Sequence, residues 1–304
     1  MQSPSPDRAD AALPRLVIVV PTKDRRVLLE RALGSVLSQS YAAYRIVIIN
    51  DGSTDGTREY LDSLKDSRIR IIHHEKSRGV NAARNAALRT VTEGEWVVPL
   101  DDDDMLLPGA LETMARAAEA APSSVQVLFF NTIIQKPEGE IVGGREFKEG
   151  EQWLDSSYES IMTGGNRKLP GDGRPILKWT LFPQYYFSED INGFEGEWWQ
   201  LLARDGVRIR YLPQQTTWID LTHPGEHLSA VAARRDRSSF IRAHLRVFRD
   251  HKEFFAAHPR VAMGSAIGSF KNALRAYDIP HALIFVGYYL QALARIFFRR
   301  RSQK

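Results

Sequence analysis

The sequence of 304 residues contains no cysteine. That absence excludes a disulfide framework, a thiolate zinc site and a cysteine nucleophile, and it fits a reducing compartment. Two phosphate-binding signatures are missing as well: no GxGxxG follows the first apolar run, and no GxxxxGK[ST] occurs. Both absences argue against a dinucleotide fold and a P-loop. Residues 1–14 are polar and lack an apolar core, so they read as a disordered lead-in and not as a signal peptide. A cytoplasmic location follows as the expectation. Charge excess is small, +4 from 41 Lys+Arg and 37 Asp+Glu, and much of it sits near the C-terminus at Arg234, Arg235, Arg237, Arg299, Arg300, Arg301 and Lys304. No uniformly basic face for nucleic acid emerges from it.

What is present is enough apolar material, 43% of the residues, for one large α/β core or a core with an appendage. Residues 16–20 (LVIVV) form a continuous apolar run of the kind found in parallel strands covered on both faces. Leu28, Leu29, Ala32, Leu33, Val36 and Leu37 then recur at helical spacing. Further strands are expected at 45–50, 68–73 and 96–100, and helices at 57–65 and 81–90. Short alternation of this kind predicts an α/β fold built on a doubly wound, mainly parallel sheet. Ligands of such sheets bind beyond the carboxyl ends of the strands. Three of those ends carry polar clusters here: PTKD at 21–24, NDG at 50–52 and DDDD at 101–104.

The last cluster is the most telling. Asp101, Asp102, Asp103 and Asp104 follow an apolar strand directly and repel one another, so an ordered loop requires a cation among them. Oxygen ligands in that place suit Mg²⁺ or Mn²⁺. A solvated acidic turn, or an acidic start to the helix after Pro108, is the plainer alternative.

Five ordered segments, VIVVPTKDR, SVLSQSY, VIINDGSTDGT, RGVNAARNAAL and WVVPLDDDD, closely resemble the motifs of glycosyltransferase family 2, the inverting enzymes of GT-A fold. The match spans roughly the first 130 residues and implies a catalytic domain at 15–220, with a nucleotide-binding half at 15–132 and an acceptor half at 133–220; the region 221–304 after it is expected to be helical from its own pattern, and 238–304 lies outside the resemblance. It implies that Pro21, Thr22 and Asp24 line the nucleotide base, that Asp51 hydrogen-bonds it, and that Arg84 lies near the nucleotide. Asp101 and Asp103 match the outer positions of a DxD-type motif, Asp103 as metal ligand and Asp101 nearer the ribose, with Asp102 between them. Two departures stand out: Lys23-Asp24 replaces a common Tyr-Asn, and Asp102 replaces a small residue. The first bears on base preference, and the second adds negative charge without removing a ligand.

Past residue 108 the pattern predicts a helix at 109–121, a strand at 125–132, an irregular stretch at 133–175, a helix at 195–204 and a strand at 208–212. In the family that later helix opens on an acidic pair, often GEDW, whose Asp is the general base. Aligning Gly196-Glu197-Trp198-Trp199 with it leaves Glu197 as the first candidate base and Glu195 as the second, with Asp190 and Glu189 behind them. All four also fit as acids favoured near a helix N-terminus. Trp198 and Trp199 suit a sugar-pocket floor or the core. His223 falls where the family has a metal- or diphosphate-binding histidine, with His227 nearby; histidines in Pro-Gly loops also serve structurally.

Residues 282–298 are dominated by apolar side chains, interrupted by Gln291 and Arg295 and followed by three arginines. The run is too short and too polar for a membrane span. It reads either as an interfacial helix making peripheral membrane contact through 282–301, or as a terminal helix packed on the domain or in a dimer. The resemblance thus leads to a metal-dependent (Mn²⁺ or Mg²⁺) transferase using a nucleotide-sugar donor, UDP-linked by expectation, and a glycan or lipid-linked acceptor, in bacterial surface polysaccharide synthesis. Two alternatives stand beside it. A sugar-phosphate nucleotidyltransferase would need a glycine-rich basic loop that PTKDRR does not supply. A catalytically silent nucleotide-sugar-binding or scaffold protein is kept open by the tryptophan at the base position.

Overall fold

The computed structural model describes residues 13–163, 173–191, 193, 195–222 and 237–301. Strands β1 (Leu16–Thr22), β2 (Tyr44–Asp51), β3 (Ile69–His74) and β4 (Trp96–Pro99) form a parallel array in the order β3-β2-β1-β4. β1 is buried along its whole length. Its even residues Leu16, Ile18 and Val20 join a core with Leu29, Leu33 and Val36 of α1 (Arg26–Leu37), while Val17 and Val19 join Ala83, Ala87 and Leu88 of α3 (Val80–Leu88) on the other face. Cover on both sides is why the strand reads as an unbroken apolar run. Helix α2 (Thr57–Ser63) makes the crossover between β2 and β3.

Beyond β4 the last aspartate of the run opens a short β5 (Asp104–Leu106), followed by α4 (Ala110–Ala120) and β6 (Val125–Lys136). The sheet continues β4-β9-β6-β10-β5, so strand directions are mixed in this half: β9 (Arg174–Lys178) is antiparallel to β4 and β6, and β10 (Arg208–Asp220) is parallel to β6.

The described residues of the stretch 133–175 are more ordered than their composition suggests. β6 runs on to Lys136 and hairpins into β7 (Gly139–Gly143), and β8 (Leu154–Ser156) and α5 (Tyr158–Thr163) come before β9. β7 adds to β6 and β8 to β10, so ladder hydrogen bonds hold these strands where apolar alternation is weak. β10 likewise extends from the expected 208–212 to Asp220, through register shifts between Leu212 and Thr217.

At the start of the described chain, Leu13 packs on the first core and Pro14 O accepts a 2.8 Å hydrogen bond from Tyr41. These two residues therefore belong to the fold and not to the lead-in; residues 1–12 lie outside the described residues.

Helix α6 (Glu195–Arg204) precedes β10, and among the described residues after it stand the helices Arg237–Asp250, Lys252–Ala257, Pro259–Arg275 and Ile279–Arg301. They share a separate core containing Phe248, Phe255, Ala266 and Phe285, in which Phe248 stacks on Tyr288 with ring centroids 4.4 Å apart. The final helix is longer than its apolar run: Ile279–Phe298 meets the length and composition of a membrane span. One of its faces packs on the domain, through Ala282, Phe285 and Ala292, while Leu283, Leu290 and Phe297 stay exposed.

Candidate active site

The end of β4 delivers its four aspartates into a nest of arginines. Thr22 Oγ1, at the end of β1, donates to Asp102 Oδ2 at 2.7 Å. Arg25 Nη1 donates to Asp102 Oδ1 at 3.1 Å and to Asp103 Oδ2 at 2.8 Å. From α3, the buried Arg84 donates through Nη2 to Asp101 Oδ1 at 2.9 Å. Arg174, buried at the start of β9, forms a close ion pair with Asp104, donates to Pro99 O at 3.2 Å and reaches within 3.9 Å of Asp101 Oδ2. Strand register explains the convergence. β1 and β4 run parallel with Val19 opposite Pro99, so they end side by side, and antiparallel β9 brings its first residue to the same edge. Among the described residues, the cations that meet the aspartate run are three guanidiniums.

Burial sets the members of the run apart. It pushes Asp102 up to about 6, against the opposing pull of Arg25 and Thr22. It pushes Asp104 up to about 8, with Arg174 opposing and the charges of Asp101 and Asp103 adding to the rise. Packed surroundings would raise Asp101 too, but Arg84 and Arg174 outweigh them and hold its carboxyl below the usual range. Asp101 is also the open member, with its side chain 42% exposed against 13% for Asp103.

The two neighbouring loops are knitted together by the other residues singled out in the sequence. Asp51 accepts from His74 Nδ1 at 2.7 Å, Ser77 Oγ at 2.8 Å, and the backbone N–H groups of Arg78 and Gly79, both at 2.9 Å. A carboxylate offers about four acceptor sites, so segment 74–79 engages all of them. Burial would raise Asp51, but these hydrogen bonds outweigh it and hold the carboxyl low. The next residue, Gly52, has φ of 74°, and a Cβ there would sit 2.7 Å from Ser77 N, so the close approach of the loops requires glycine. Asp24, at φ 52°, donates its N–H to Ser53 Oγ at 2.9 Å and accepts from the Thr54 N–H at 2.6 Å. Pro21 is buried in β1 opposite Ile49.

Of the candidate bases, only Glu195 reaches the cluster: its Oε1 lies 2.7 Å from Arg84 Nη1. Glu197 is buried elsewhere, accepting from Ser188 Oγ at 3.3 Å, and burial raises its carboxyl above the usual range while Arg246 pulls the other way. Positions two apart on a helix differ by about 200°, so two acids so spaced cannot share a face. Glu189 accepts from Asn85 and Arg89, and Asp190 pairs closely with Arg246. Trp198 is buried and stacks on Phe187 at 4.5 Å, so it belongs to the core and not to a pocket floor. Half-buried Trp199 meets Phe129 edge-on at 4.8 Å. His223, with His227, Arg234 and Arg235, lies outside the described residues.

Sequence reasoning missed Arg25, Arg174, His74 and Ser77. Arg25 carries a signal, since it follows PTKD at a strand end; Arg174 carries none until β9 is known to be antiparallel.

Among the described residues no three His, Asp or Glu side chains gather as a metal cage. The donors still suit a divalent cation that takes further ligands from a substrate. Asp101 and Asp103 alternate along one loop, and Mg²⁺ or Mn²⁺ is commonly held by one or two carboxylates together with phosphates and water. Charge agrees among the described residues: the five carboxylates of Asp101 to Asp104 and Glu195 pair there with the three guanidiniums of Arg25, Arg84 and Arg174.

Comparison with known proteins places this geometry. Residues 17–164 match the profile described as Glycosyl transferase family 2. The GalNAc(5)-diNAcBac-PP-undecaprenol beta-1,3-glucosyltransferase of Campylobacter jejuni is 31% identical over 196 residues, 64% of this chain and 61% of that enzyme. The UDP-Glc:alpha-D-GlcNAc-diphosphoundecaprenol beta-1,3-glucosyltransferase of Escherichia coli is 33% identical over 95 residues, 31% of this chain and 37% of the relative. The chain therefore spans less than two thirds of these relatives. Among solved structures, Staphylococcus aureus TarS 1-349 in complex with UDP-GlcNAc aligns with a TM-score of 0.57 at 18% identity, covering 91% of this chain and 92% of that one. The mannosyltransferase PcManGT of Pyrobaculum calidifontis, in complex with GDP-Man and Mn²⁺, aligns at 0.55 and 21%, covering 93% and 81%. The order of motifs along β1 to β4, the matched profile and the shared architecture agree: residues 17–164 form a glycosyltransferase family 2 domain, and the chain has a GT-A fold.

Proposed function

We propose that this chain is a metal-dependent, inverting glycosyltransferase that moves a sugar from a UDP-sugar to a hydroxyl of a glycan or lipid-linked acceptor. Its setting is bacterial surface polysaccharide synthesis at the inner face of the cell membrane. The observation that carries the reading is the shared guanidinium of Arg84, which holds Asp101 and Glu195 on one side of the crevice. The lipid-linked acceptors in the relatives' names and the UDP-GlcNAc bound to TarS support the choice of substrates.

In this reading Asp103 and His223 would hold a divalent cation, with Asp101 nearer the ribose, and the cation would supply charge neutralisation for the departing diphosphate. Pro21, Thr22, Asp24, Asp51, Arg84 and Asp102 form the nucleotide side of the site. Thr22 and Asp102 fix each other through their buried hydrogen bond. Asp24 ties the loop after β1 to the loop after β2 through Ser53 and Thr54, and Asp51 ties the end of β2 to segment 74–79.

Glu195 is the general base. Its side chain is 39% exposed, so an acceptor can reach it while Arg84 fixes its direction. As the acceptor oxygen bonds to the anomeric carbon, its proton passes to the Glu195 carboxylate and the bond to the diphosphate oxygen breaks, a single displacement that inverts configuration. The silent-scaffold alternative rested on a tryptophan at the base position; an acid beside Arg84 removes that motive.

The test is turnover. The purified chain is incubated with Mn²⁺, a panel of UDP-sugars and an undecaprenyl-diphosphate-linked glycan, with product read by mass spectrometry and its anomeric configuration by NMR. Acceptor-dependent UDP release with inverted product is expected. UDP binding without turnover of any donor, or a retained configuration, would overturn the reading.

A further inference from the structure

We infer that the two C-terminal helices, Pro259–Arg275 and Ile279–Arg301, form a docking surface for an anionic lipid bilayer, lying along it and not across it. The inference extends the proposed membrane setting but rests on the helices themselves.

The two helices pack as an antiparallel hairpin whose inner side is filled by Ala262, Ala266, Ala273, Ala282, Phe285 and Ala292. Small residues on both helices bring them close, and this inner face consumes only one stripe of the last helix. The outer face is apolar as well. Leu283, Leu290 and Phe297 recur every seven residues along it, with Leu293 between them, and all four are exposed. At the hairpin's tip Leu274 joins them, and Tyr277 is 90% exposed at the turn. Soluble proteins seldom leave an apolar stripe running the length of a 23-residue helix, about 34 Å, open to water.

Charge identifies the occupant. From 259 to 301 the sequence carries seven cations (Arg260, Lys271, Arg275, Arg295, Arg299, Arg300, Arg301) and a single acid, Asp278, which is itself bonded to His281 at 2.7 Å. A second copy of this chain would set these like charges against one another, with Asp278 the one acid of the stretch and already bonded to His281, which disfavours self-association. Anionic headgroups answer both features at once: acyl chains accept the leucines and phenylalanine, and phosphates accept the flanking cations. The aromatic ring of Tyr277 suits the same boundary, with an apolar body and a polar tip. Spanning is disfavoured because the inner face is committed to the domain, where Phe248 of the helix Arg237–Asp250 stacks on Tyr288; crossing the bilayer would strip that contact or drag a charged helix in with it.

The test uses the full chain and the double variant Leu283→Glu/Leu290→Glu, both sites being exposed. Each protein is sedimented with vesicles of phosphatidylcholine alone and of phosphatidylcholine with phosphatidylglycerol, and its oligomeric state is measured by light scattering. The wild type is expected to bind the anionic vesicles, to lose most of that binding in high salt, and to drop about tenfold or more in partitioning with the double substitution. UDP affinity, measured by calorimetry in both proteins, should stay equal, so a failed lipid surface is told apart from a failed nucleotide site. No binding to anionic vesicles by the wild type overturns the inference. So does a wild-type dimer that the double substitution converts to monomer while vesicle binding is unchanged.

Discussion

Arg84 Nη1 lies 2.7 Å from Glu195 Oε1 while Nη2 of the same guanidinium donates to Asp101 at 2.9 Å. One buried fork thus couples the strand-end acid of the aspartate run to the first turn of α6. Lysine preserves the charge but not the two-pronged geometry, so Arg84→Lys should lose at least about 10²-fold in kcat/KM, and Arg84→Gln more. Steady-state kinetics on the two variants check this; activity retained within a few-fold in Arg84→Lys would mean that the fork is not needed.

Asp51→Asn is expected to destabilise the fold by roughly 1–3 kcal/mol at neutral pH, because an amide nitrogen would face donors at 74–79 that now have acceptors. The hydrogen bonds hold the folded carboxyl below its unfolded value, so its contribution is present above that value and fades as pH falls through the folded one. The gap in Tm between wild type and Asp51→Asn should therefore be wide at pH 7 and narrow in acid well below pH 4. A gap independent of pH would contradict the assignment.

Gly52→Ala combines positive φ with a Cβ 2.7 Å from Ser77 N, a backbone atom that cannot swing aside. A loss of roughly 1–3 kcal/mol follows from the strain, with weaker UDP binding as segment 76–79 is pushed away. Thermal melts and UDP titration of this variant measure both effects.

Arg25 is a resident cation on Asp103, so it competes with any divalent ion there. Arg25→Gln should raise Mn²⁺ affinity in the absence of nucleotide by about tenfold, whereas Asp103→Ala should abolish Mn²⁺-dependent UDP binding. Calorimetry with Mn²⁺ alone and with UDP reads each directly.

Much of this was legible before any coordinates. The covered strand LVIVV, the helix after it and the polar strand ends announced a parallel sheet with a crevice at its carboxyl edge, and those elements stand where the patterns put them. What the sequence did not disclose was partnership across the chain. Arg174 meets Asp104 only because β9 runs antiparallel between β4 and β6, and no local pattern encodes strand direction. The hairpin of β7 was hidden for a related reason: its residues are mostly exposed and held by ladder bonds, leaving no apolar alternation to read. Which of Glu195 and Glu197 reaches Arg84 was legible in principle from the helical period, since Trp198 and Leu202 mark the buried face of α6, but a short motif aligned by residue type does not carry that period.

The central claim, that Glu195 takes the acceptor's proton, is tested most directly by transfer kinetics of Glu195→Gln and Glu197→Gln measured in parallel with UDP titrations. Glu195→Gln should keep UDP affinity while kcat falls by about 10²-fold or more, and Glu197→Gln should stay within about threefold of wild type. Loss confined to Glu197→Gln, or full activity in both, would contradict the account.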